Sequence, residues 1–158
     1  MRASLLSVGP IMDQDTHRAA SVDCFNRVCE LLEKTDRQPD EDVLMREMAH
    51  ASLFHWLSRE DSKLQNLSVG LWQISRVYSV LGDPENARRY AQECIEVSEH
   101  GGLDPFFVGY AYEAAGRASS VAGDTARATM FRQDAEALLP KIADEKDRAT
   151  LAKDLTEL

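Results

Sequence analysis

The same punctuation occurs twice in this chain. Trp72 to Asp83 reads WQISRVYSVLGD and is followed by Pro84, and Glu113 to Asp124 reads EAAGRASSVAGD and is followed by Thr125. Each passage reads as a helix, a Gly-Asp break and a second helix that keeps alanine on its inner face. The two breaks, at Gly82 and Gly123, lie 41 residues apart. Repetition at such a period is the mark of helical hairpins stacked side by side, because one hairpin cannot bury its own apolar face. Stacks of this kind usually bind other molecules and rarely catalyse.

The rest of the chain is compatible with that architecture. No stretch alternates with period two, so strands are not expected. Apolar residues recur instead at three- and four-residue intervals. From about 13 to 34, Val22, Phe25, Val28, Cys29 and Leu32 share one face. Pro39 then suits the first turn of a second helix, 40–58, which is expected to bury Leu44, Met48, Ala49 or Ala51, and Phe54. A third helix carries Leu67, Leu71, Ile74, Val77, Tyr78 and Leu81 up to the left-handed stop at Gly82. Asp83 caps the fourth, which offers Ala87, Tyr90, Ala91, Cys94, Ile95 and Val97 and ends at His100-Gly101-Gly102. Asp104-Pro105 starts the fifth, Gly123-Asp124 separates it from the sixth, and Pro140 ends that one. The tail, 141–158, reads as a seventh helix with a narrow stripe of Ile142, Ala149, Ala152 and Leu155. It forms the polar-faced cap that a repeat stack needs. Residues 1–12 are expected to be a flexible N-terminal extension, too short and too interrupted by Gly9-Pro10 for a signal or a membrane span.

These residues resemble the tetratricopeptide repeat family. In the later hairpin Tyr112 stands where the family places a large aromatic and Gly116 where it places a small residue. Ala128 and Ala135 match the alanines of the second helix, and Pro140 the closing proline. In the earlier hairpin Tyr78, Gly82 and Ala87 match, with Ser75 and Cys94 in the small-residue places and Leu71 replacing the aromatic. The period of 41 exceeds the family's roughly 34 residues, which implies longer helices or a longer loop at Gly101-Gly102. A weaker third unit occupies Val22 to Trp56, with Arg37-Gln38-Pro39 aligned on Gly82-Asp83-Pro84. The resemblance implies a right-handed α-solenoid: hairpins at about 13–58, 63–100 and 105–139, then a capping helix. It also implies that the first helix of each hairpin lines a concave groove.

Projected onto that groove, the earlier hairpin presents Val69, Trp72, Arg76 and Ser79. The later one presents Tyr110, Glu113, Arg117 and Ser120 at equivalent places. Within each set the spacing of three and four makes one stripe. Aromatic residues and arginines are what recognition surfaces use, since they combine rigid contact area with bidentate hydrogen bonding. A blander arrangement pairs Arg76 with Glu113 across the groove and sends Trp72 into the core. His55 and Trp56, at the end of the second helix, are placed at the groove's edge. His17 and His100 are read as solvent-facing.

Several function classes are disfavoured. A net charge of −9 argues against nucleic-acid and anionic-membrane partners. His50 and His55 are five apart, not the four that would aim two zinc ligands the same way, and no CxxC or HExxH accompanies them, so neither a metal nor a cofactor is expected. No GxSxG, phosphate loop or dinucleotide fingerprint is present, and the chain is read as non-catalytic. Three scattered cysteines, Cys24, Cys29 and Cys94, suggest reduced thiols and a cytoplasmic protein. The expectation is an all-α interaction module that holds a peptide or protein segment in its groove, with a small-ligand sensor using the same groove as the alternative. Self-association as a homodimer through an apolar end helix is also expected.

Overall fold

Asp13 opens the first helix by accepting from the Thr16 backbone N–H at 2.8 Å, which satisfies one of the four unpaired donors of a helix start. The computed structural model describes residues 12–158, so most of the expected N-terminal extension lies outside the described residues. Within them the chain forms seven α-helices: α1 Gln14–Glu33, α2 Pro39–Leu57, α3 Leu64–Val80, α4 Pro84–His100, α5 Pro105–Val121, α6 Thr125–Glu136 and α7 Glu145–Leu155. A 3₁₀ turn, Leu139–Lys141, precedes α7. Pro140 therefore sits inside this turn and not at the end of α6.

The Gly-Asp breaks fold alike because their residues impose one geometry. Gly82 and Gly123 take φ of 73° and 77°, where a Cβ would be strained. The next amide then reaches back to the carbonyl five residues earlier, Asp83 to Tyr78 and Asp124 to Ser119, each at 2.9 Å. This doubly bonded stop ends one helix. The same aspartates start the next, accepting from the backbone N–H of Asn86 and of Arg127. The first hairpin has no glycine here. Arg37 covers the end of α1 instead, donating to the carbonyls of Leu31 and Lys34 and pairing with Asp42.

Each odd-numbered helix packs against the even-numbered one that follows, and α2 meets α3 as α4 meets α5. The odd helices also touch in sequence, α1 to α3, α3 to α5 and α5 to α7. The result is an all-α stack of antiparallel hairpins in two layers, with α1, α3, α5 and α7 in one of them. Three apolar clusters fill the seams. Val28, Leu31, Met45, Ala49, Ile74 and Val77 join the first hairpin to the second. Leu71, Ala91, Cys94 and Ile95 meet Ala111, Ala114 and Ala115 between the second and third. Ala135, Ile142, Leu151 and Leu155 seat α7.

Three faces differ from the sequence expectation. In α2 the buried residues are Met45, Ala49 and Ser52, while Leu44 and Phe54 stay about half exposed. That helix is apolar on more than one side, so periodicity alone cannot orient it. In α1 Val22 is exposed, and His17, expected in solvent, is buried with its Nδ1 2.9 Å from that of His55. In α7 the buried stripe is Leu151 and Leu155, with Ile142 packed from the preceding loop and Ala149 exposed.

Candidate functional site

The projected stripes from α3 and α5 come together residue for residue. Trp72 meets Tyr110 edge-on at 5.6 Å between ring centroids, and its indole N–H donates to Glu113 Oε2 at 2.9 Å. Such a contact gains from the positive ring edge facing a negative π face. Glu113 is 1% exposed, and a buried carboxylate is tolerable only with full compensation. Besides Trp72 it receives Arg117, one helical turn on, and Arg76 from α3 at 3.5 Å. The pairing of Arg76 with Glu113 thus forms, and Glu113 is spent inside the stack instead of lying open in the groove.

Asp154 of α7 and Glu157, just past its end, add two acidic partners that carry no sequence pattern. Asp154 accepts from the Tyr110 hydroxyl at 2.7 Å, and Glu157 accepts from Arg117 at 3.2 Å. Burial first and Asp154 second raise the Tyr110 hydroxyl well above the ordinary phenol range. It is therefore a fixed donor at any physiological pH. These contacts span about 40 residues of chain and carry no local signature, which is why the stripe rule missed them.

Towards the starts of α3 and α5 the surface is apolar. Val69, Trp72, Phe106, Phe107 and Tyr110 line a recess of about 210 Å³. A second, of about 280 Å³, shares Val69 and Phe107 with it and continues to Val22, Phe25 and Trp56. Together they make one furrow across α1, α3 and α5, edged by Trp56 of α2 and partly open to solvent. The projected stripe begins at Tyr110 on α5, although Phe106 lies one turn before it on the same face. Trp56 reaches the furrow under the guanidinium of Arg59, 3.9 Å above its ring. His55 does not line it and is occupied by His17.

Towards the ends of α3 and α5 the groove changes character. Arg76, Ser79, Arg117 and Ser120 line a separate recess together with Val80, Val121, Glu157 and Leu158. The eight positions projected on α3 and α5 therefore divide three ways: an apolar furrow, a buried carboxylate network and a cationic recess.

The cysteines are not poised as nucleophiles. Burial pushes the Cys94 thiol up to about 11, and also raises Cys24 and Cys29. Among the described residues no three His, Cys, Asp or Glu side chains gather as a metal site. No helix among them is long and apolar enough to cross a membrane. No protein-family model, curated protein or solved structure matches the chain.

Proposed function

We propose that this chain is a non-catalytic, tetratricopeptide-like binding module, and that the furrow across α1, α3 and α5 holds a segment of a partner protein. The observation that carries this reading is the furrow itself. It is rich in aromatic side chains, only partly buried, and lined by four helices, α1, α2, α3 and α5, that come from three different hairpins. Aromatic side chains of this kind are the usual anchors of protein interfaces. A small-molecule site is typically more enclosed and buries most of its ligand. The furrow's open side suits a chain running along it.

Trp72 and Arg76 are poor probes of this function, because both hold Glu113 and their loss would disturb the stack. Val69 and Phe107 line both recesses without polar duties. Peptides selected from a random library against the full chain should lose about tenfold or more in affinity on Val69→Asp or Phe107→Ala, the scale of an interface anchor. Circular dichroism and melting temperature should hold. Selected peptides indifferent to both substitutions would remove the reading.

A further inference from the structure

The cationic recess at the far end of the groove has a volume of about 260 Å³. Three features set it apart from ordinary surface. The first is Ser79, only 8% exposed, whose hydroxyl has no hydrogen-bond partner among the described residues. Every other buried helical serine among the described residues has a hydrogen-bond partner: Ser98 and Ser119 donate to the carbonyl one turn back, and Ser52 and Ser75 donate to carbonyls of neighbouring helices. Ser79 has none, and it lines the recess. A buried polar atom left unpaired is costly and calls for an occupant.

The second feature is Arg76. Its five donors find one hydrogen bond among the described residues, the 3.5 Å contact with Glu113. Burial first and the Arg117 charge second work against its own charge. The third is the charge count. Two guanidiniums, of Arg76 and Arg117, stand beside the carboxylates of Glu113 and Asp154, which balance them without Glu157. Glu157 adds a third carboxylate, from a side chain that is 53% exposed and that among the described residues is bound to Arg117 alone, so it is the one free to leave.

We propose that this recess is a carboxylate-binding subsite, which Glu157 occupies in cis and from which an acidic group of the bound segment displaces it. A monoanion replaces Glu157 charge for charge. A dianionic phosphate would overfill it beside Glu113 and Asp154, in a chain already at −9. Glu157 itself shows that a carboxylate reaches Arg117. An incoming one would in addition take the free donors of Arg76 and the hydroxyls of Ser79 and Ser120. This assignment rests on the furrow reading only for the source of the carboxylate. Val69 and Ser79 are ten residues apart on α3, about 15 Å. A partner in extended conformation would then carry its acidic residue four or five positions from its apolar anchor.

The subsite can be tested without any peptide. Isotope-labelled full chain is titrated with sodium acetate at constant ionic strength, following the Arg76 and Arg117 side-chain N–H groups and the Ser79 and Ser120 amides by NMR. Saturable shifts confined to these residues are expected. Ser79→Ala should weaken acetate about tenfold or more, the worth of one hydrogen bond to a charged acceptor. Glu157→Gln should strengthen it up to about fivefold, the range of an exposed ion pair. Shifts that do not saturate, or that are no larger than those of the exposed Arg132, overturn the subsite. Acetate affinity unmoved by Glu157→Gln overturns the occupation in cis. Inorganic phosphate binding tenfold tighter than acetate overturns the carboxylate assignment. The two proposals fail separately: acetate binding with peptides indifferent to Val69→Asp leaves the subsite and removes the furrow, and the converse result does the opposite.

Discussion

Glu113 shows how a single side chain can tie two repeats together. Its carboxylate is shielded from water and held by an indole and two guanidiniums, one from its own helix and one from α3. Glu113→Ala would strand Arg76 and Arg117 with no buried counter-charge. Removing one member of a buried ion pair costs about 3–5 kcal/mol. Urea unfolding should therefore show a loss of that size, and a loss below about 1 kcal/mol would mean that water already screens the network. The partnership of Trp72 and Glu113 was legible in part, since repeat equivalence set them 41 residues apart at matching places. Equivalence places residues on the same helical face, and side-chain length then decides whether they meet. The bonds to Asp154 and Glu157 were not legible, because α7 belongs to no repeat.

At the scale of the element, small residues set how closely α5 is approached by the cap. A Cβ on Gly109 would lie 2.5 Å from Leu151 Cδ2, and one on Gly116 would lie 2.9 Å from Leu158 Cδ1. The two neighbours differ in freedom. Leu151 is fully buried in its cluster, whereas Leu158 is only partly buried beyond the end of α7. Gly109→Ala should thus overpack the seam and cost about 1–3 kcal/mol, while Gly116→Ala should cost less than about 1. Comparing chemical denaturation of the two variants checks this ordering, and equal losses would count against it. Helix boundaries were readable because Gly-Asp and Asp-Pro carry their own geometry. Helix faces were readable only where a single apolar stripe exists, as in α4, and not in α2, which offers several.

For the whole molecule, the first hairpin is the unit most exposed to pH. Its seams are pinned by imidazoles, His17 against His55 between α1 and α2, and His50 Nε2 on the Tyr78 hydroxyl at 3.1 Å between α2 and α3. Two Nδ1 atoms in contact require one donor and one acceptor, so a doubly protonated pair loses the bond. Burial lowers His50 below the ordinary imidazole value of 6.5, and burial followed by His17 lowers His55. A lowered histidine makes the unfolded chain the stronger proton binder. Its contribution is complete above about 6.5 and is lost as pH falls through the folded-state value. The melting temperature should accordingly drop between about pH 7 and pH 5, with hydrogen exchange accelerating first in α1 and α2. A double variant, His50→Gln and His55→Gln, should flatten that drop, and an unchanged profile would place the acid sensitivity elsewhere.

The chain by itself determined its helices, their stops and the pairing of equivalent positions in α3 and α5, because these follow from local backbone geometry and from repetition. Only the tertiary structure decided which of those positions remain accessible and which are spent inside the stack. Packing spent Glu113 on two arginines and an indole, drew α7 across α5, and left Ser79 and Arg76 under-satisfied at one end of an aromatic furrow. Burial and unpaired charge are properties of neighbours, and neighbours about 40 residues apart in the chain are chosen by the stack as a whole.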